Sequence, residues 1–143
     1  MHKNFLVFGV LLLCAHGFVA AKAPVFVQHS GTDPVGERLS FAVREAIRAS
    51  SGYELASQSA KSIYRINIVT IDPEHGALAG HATIASIAFT MKNTNPFRDH
   101  DPQTWYPIFL SSQVLIAGSR VIEEQAKSIL AGLDADVVQL AGE

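Results

Sequence analysis

The side chains best suited to chemistry in this 143-residue chain gather in two polar stretches. One is Asp99-His100-Asp101; the other holds Asp72, Glu74, His75 and His81. Imidazole nitrogens and carboxylate oxygens are the donors that zinc and hard divalent cations take. His75, His81, Asp99, His100 and Asp101 are therefore the candidate ligands of a small metal-dependent hydrolase. Their spacing matches no established ligand pattern, and Asp and His next to Pro73 and Pro102 also make ordinary solvated turns. A nucleophilic serine needs a base and an orienting acid, and the chain has no Gly-x-Ser-x-Gly elbow. Ser119, in Ala117-Gly118-Ser119-Arg120, stands at a strand-to-helix turn and reads as a helix cap rather than a nucleophile. No cofactor motif is present.

A different kind of site is offered by the aromatic group Phe97, Trp105 and Tyr106, at the edge of a stretch rich in Asn, Asp and Pro. Large aromatic side chains anchor protein partners, and an open strand edge can accept a strand from another chain. These three residues are the candidate binding surface for another envelope protein or a small ligand. They could equally cover the end of a sheet.

Charge narrows the field of partners. The formal net charge is −2, with no basic stripe and no acidic tail. Nucleic acid, which calls for a clustered positive face, is disfavoured, and so is adhesion to anionic lipid.

The first two dozen residues have the three parts of a secretory signal. His2 and Lys3 supply the positive start, Phe5 to Cys14 the apolar run, and Val19 and Ala21 the small residues before a cut. Cleavage is expected after Ala21, because the bond after Ala23 leads into Pro24. The apolar run is shorter than the roughly 20 residues that span a bilayer. Residues 22–143 then form one exported, periplasmic or secreted domain with no stable membrane insertion. Cys14 is the only cysteine and leaves with the signal, so that domain has no disulfide and no thiol chemistry.

The elements that must position these groups follow from hydrophobic period. Pro24 to Gln28 reads as a strand. Asp33-Pro34 starts a helix, with Asp33 as N-cap and Pro34 at the first position, where its missing N–H is harmless. Val35, Leu39, Ala42, Val43, Ala46 and Ile47 give that helix one apolar face, and Gly52 is the expected stop. Short strands are expected at Tyr53–Ala56, at Ile63–Ile71 and at Thr83–Met91, the last two as an antiparallel hairpin. Tyr106–Ala117 is a further strand, starting at an edge because of Pro107. A last helix is expected from Ser119, with Ile122, Ala126, Ile129, Leu130 and Leu133 as its stripe; the tail after Asp134 is short and frayed, unless Val137, Val138 and Leu140 dock.

The order β-α-β-β-β-β-α implies an α+β two-layer sandwich, a mostly antiparallel sheet with both helices on one face. This layout resembles small exported α/β domains of the bacterial envelope. The N-terminal domain of the Tol–Pal propeller protein TolB and the core of the curli secretion lipoprotein CsgG are similar in the Asp33-Pro34-Val35-Gly36 helix start, the hairpin, and the Gly118-Ser119-Arg120 turn. The resemblance covers most of the domain as topology. It departs in having no propeller and no lipidated cysteine at the start of the domain. It implies a non-enzymatic binding or adaptor role.

Overall fold

The computed structural model describes residues 21–73, 79–93 and 107–142. Five strands and two α-helices follow one another as β1 (Ala23–Ser30), α1 (Pro34–Ala49), β2 (Tyr53–Leu55), β3 (Tyr64–Ile71), β4 (Ala82–Lys92), β5 (Pro107–Gly118) and α2 (Ile122–Ala141), with one 3₁₀ turn at Ser59–Lys61. The sheet order is β2-β1-β3-β4-β5. This is the expected α+β layout. The sheet itself is mixed. β1 pairs in parallel with both β2 and β3, whereas β3, β4 and β5 form an antiparallel meander. The parallel half arises because α1 and the 3₁₀ turn lie between its strands in the chain and return it for another pass in the same direction.

Both helices cover the same sheet face. α1 sends Val35, Leu39, Val43 and Ile47 into the core, and α2 sends Ile122, Ala126, Ile129 and Leu133. They meet Val25 and Val27 of β1, Ile66 and Ile68 of β3, and Ala85, Ile87 and Phe89 of β4. Strand residues two apart share a face, so Arg65, Asn67, Val69 and Ile71 of β3 lie on the opposite side, which carries no helix among the described residues.

Three local expectations are corrected. Ser119 does not cap α2: its backbone N–H donates to the His81 carbonyl at 3.0 Å, and the helix begins three residues later, after Val121, without side-chain capping. Gly52 does not end α1. Ser50 does so, its hydroxyl accepting from the backbone N–H groups of Gly52 at 3.1 Å and Tyr53 at 3.3 Å. The stretch after Asp134 is helical to Ala141. It is held there by Val137 packing on the core and by the Ser111 hydroxyl, which donates to Asp136 at 2.6 Å.

Candidate functional site

Most of the sequence-predicted site residues, namely Phe97, Asp99, His100, Asp101, Trp105, Tyr106 and His75, lie outside the described residues. His81 is exposed just before β4. The segment holding Asp99, His100 and Asp101 leaves from the other end of β4, after Lys92. Eleven strand residues, about 35 Å at a rise of ~3.3 Å each, separate those two points. Among the described residues, no three His, Cys, Asp or Glu side chains group as a metal would require.

Three other features of the described structure could serve function. The first is polar and sits where β1 and β3 end against the start of α1. Asp33 is buried and accepts from the Gly36 N–H at 2.6 Å. Thr70 and Thr83, also buried, stand beside its carboxyl, and His29 Nε2 lies 2.9 Å from the Thr70 hydroxyl. Burial pushes the Asp33 carboxyl up. The hydrogen bonds from Thr70, Gly36 and Thr83 and from its own backbone outweigh that and leave it below the ordinary carboxylate value. The cluster is a helix cap built on an ionised carboxylate.

That cap carries a pH dependence. A carboxyl whose folded pKa is lowered contributes stability in full above its unfolded pKa of about 3.9, and loses it as pH falls through the folded value. Asp33→Ala is expected to cost about 1–2 kcal/mol at neutral pH. In urea titrations from pH 7 to pH 2, the gap between the native protein and the variant should narrow only below about pH 4. A gap independent of pH would mean that Asp33 acts through shape and not charge.

The second feature is a cleft of about 920 Å³ between the first half of α1 and the start of α2. Glu37, Arg38, Glu124 and Lys127 line it together with Phe41, which is 60% exposed. Arg38 reaches across to the Ser119 carbonyl at 3.5 Å. Both signs of charge are present, and the cleft is open to solvent, so it favours no single class of ligand.

The third is the helix-free face of the sheet, and its pattern is ordered. Ile71 pairs with Ile84 and Ile84 with Ile116; Val69 pairs with Ser86 and Ser86 with Val114. Directly paired residues stand about 4.5–5.5 Å apart on one face. These two rows therefore bring five apolar side chains together at one end of the sheet. Val69, Ile71, Val114 and Ile116 are 56%, 64%, 73% and 67% exposed. The next row is polar, Gln28-Asn67-Ala88-Ser112, and the row beyond it holds Phe26, Arg65, Thr90 and Phe109. The Arg65 guanidinium lies 6.0 Å from the Phe26 ring centroid and donates to the Ser59 hydroxyl. Isolated exposed Val or Ile residues are ordinary in a folded protein, whereas these five, at paired positions of neighbouring strands, form one apolar patch.

Among the described residues, this is a two-layer α+β domain whose helices cover one side of the sheet. No family model and no curated protein matches the chain. Among solved structures, XCC0632 of Xanthomonas campestris, described under the family DUF330, is similar with a TM-score of 0.52 and 10% identity, over 90% of this chain and 93% of that one. PelC of Paraburkholderia phytofirmans, crystallised as a dodecamer, is similar with a TM-score of 0.45 and 13% identity, over 80% of this chain and 85% of that one. A point variant of PelC gives 0.44 and 12%. At such identity the likeness to XCC0632 concerns fold alone. What the likeness to XCC0632 supports of the resemblance read from the sequence is a fold shared with a bacterial protein.

Proposed function

We propose that the chain is an exported, non-enzymatic docking module that binds an envelope protein through the helix-free face of its sheet. The observation that carries this reading is the pair of apolar rows, Ile71-Ile84-Ile116 and Val69-Val114, left uncovered at one end of that face. Water contact on apolar surface costs about 25 cal/mol per Å², so a complementary apolar partner gains by covering it. The polar row next to it and Arg65 beyond supply the hydrogen-bonding rim that typically surrounds an apolar contact. Export rests on the charge, apolar run and small residues of positions 1–21. Among the described residues no helix is long and apolar enough to cross a membrane.

The test is photo-crosslinking in the native envelope from single positions. A crosslinker at Ile71 or Ile116 is expected to capture one and the same protein. A crosslinker at Glu45, exposed on α1 in the opposite layer, should not. Ile71→Lys with Ile116→Lys should abolish the capture while shifting stability by no more than about 0.5 kcal/mol per site, since both side chains are already exposed. Equal capture from Glu45, or capture that survives the double substitution, would remove the sheet face as the docking surface.

A further inference from the structure

The docking face ends at β5, and the outer edge of that strand raises a separate question. β5 is the last strand in the sheet order and pairs only with β4 among the described residues. It is twelve residues long, against three for β2 at the opposite edge. A long open edge is a template for another strand, and monomeric proteins commonly blunt such edges with charge. Pro107–Gly118 contains no Lys, Arg, Asp or Glu. Its only interruptions are Pro107 at its start and a bulge at Leu110, which falls between the Phe89–Ser111 and Thr90–Phe109 pairs, two residues from Ser112. Beside it, Val138 and Leu140 at the end of α2 are 71% and 43% exposed. A cavity of about 190 Å³ is lined by Leu140 on one side and by Ile108 and Phe109 on the other.

We infer that β5 pairs antiparallel with β5 of a second copy of this chain, across a two-fold axis at Ser112. The strand is symmetric in character about that residue. Ile108-Phe109-Leu110 is apolar, Ser111-Ser112-Gln113 is polar, and Val114-Leu115-Ile116 is apolar. Antiparallel self-pairing about Ser112 lays each apolar triplet along the other and the polar triplet along itself, the self-complementarity that a two-fold interface demands. A head-to-tail contact of β5 with β2 would match twelve residues to three and leave most of the edge open. The chain's small net charge of −2 offers little repulsion between copies. The paired sheets become one sheet of ten strands, and the two apolar ends of the docking face then belong to a single surface. The dimer does not depend on the docking role, because it uses the edge of the strand and not its face.

Sedimentation equilibrium of the full chain with Cys14→Ser should give twice the monomer mass. Ser112 is exposed, so Ser112→Lys and Ser112→Glu should each leave the circular dichroism unchanged. Each should weaken self-association at least about tenfold, because the introduced charge meets its own copy. Mixing the two variants should restore the dimer, which only a residue facing itself can do. In the same background Ser112→Cys should oxidise to a linked dimer, since Cα atoms paired across an antiparallel ladder lie ~4.5–5.5 Å apart, within disulfide reach. Ser86→Cys, on the sheet face, should not. A monomeric native chain, undiminished association of Ser112→Lys, or crosslinking through Ser86 instead would each overturn the inference. Failure of the envelope crosslinks from Ile71 and Ile116 would leave it standing.

Discussion

Phe89→Ala is expected to lower the free energy of unfolding by about 3–5 kcal/mol. Phe89 sits in β4 and is among the largest fully enclosed side chains. Truncation removes most of a ring from water-free packing and leaves a void that the sheet below and helix above cannot fully close. In a domain of this size that loss should lower the thermal midpoint by more than about 10 °C. Its neighbour across the layers explains an otherwise odd feature of α2, a glycine in the middle of a helix. A methyl group at Gly132 would lie 3.3 and 3.4 Å from two atoms of the Phe89 ring. That is inside the ~3.5–4.0 Å optimum for carbon contacts. Gly132→Ala would gain up to about 1 kcal/mol of helix propensity and lose much of it to that contact. Combined with Phe89→Leu, which shortens the side chain beneath it, the same change should recover its propensity gain. Chemical denaturation of the two singles and the double then reads a favourable coupling. Strict additivity would mean that Gly132 does not accommodate the ring.

The fold was readable where local rules agree with one another. Asp33 and Pro34 mark the start of α1 by chemistry that needs only neighbouring residues, and the structure places both as expected. The β3 and β4 alternation likewise located the hairpin. Apart from the end of α1, where Ser50 and not Gly52 makes the cap, what failed involved contacts distant in sequence. Ser119 looks like a cap from its neighbours, but its N–H is taken by His81, 38 positions earlier in the chain. Asp134 and Asp136 make the C-terminal stretch look polar and loose, until Ser111 supplies a partner for Asp136. The parallel ladders of β1 depend on which strands meet after α1, which no periodicity in β1 encodes.

The exposed apolar face was hidden for a different reason. Ile68, Val69 and Ile71 are all apolar, so period two in β3 separates two faces without saying which one the helices cover. Val69 and Ile71 have the composition of core residues and turn out to be more than half exposed. Only the placement of α1 and α2 on the other side reveals that they are surface. The sequence drew attention instead to Trp105, Tyr106 and the acidic loop, because rare aromatic and titratable residues stand out by type. A patch of ordinary Val and Ile stands out only by position.

The second large effect is expected at Gly36, in the first turn of α1. Replacing a helical glycine by alanine ordinarily stabilises by about 0.5–1 kcal/mol. Here the sign should reverse. A methyl group at Gly36 would stand 2.2 Å from the Thr70 hydroxyl oxygen, 2.6 Å from Thr70 Cβ and 2.5 Å from Asp33 Oδ2. All three atoms belong to buried residues, and a methyl group at Gly31, whose φ of 144° already disfavours any side chain, would meet the same Thr70 hydroxyl oxygen. Thr70 can move only toward the open cavity it lines with Gly31 and Asp72, at the cost of its contact with His29. Gly36→Ala must either push α1 off the end of β3 or stretch the 2.6 Å bond between its own N–H and Asp33. Overpacking costs about 1–3 kcal/mol, and loss of the cap about 1 more. The sum is about 3 kcal/mol, and the measurement is the urea midpoint against Gly52→Ala. At Gly52 the nearest atom to a new methyl is 4.0 Å away, and the change should be near neutral. Thr70→Ala removes the nearest oxygen but not Cβ, so in the double variant it should return part of the loss, a coupling of about 1 kcal/mol between residues 34 positions apart. The same displacement reaches the docking surface, because Thr70 and Ile71 are consecutive in β3. Gly36→Ala should weaken partner capture from Ile71 more than from Ile116, which lies two strands away across the sheet. Equal loss at both positions would mean that the variant acts by unfolding the domain and not by moving the end of β3.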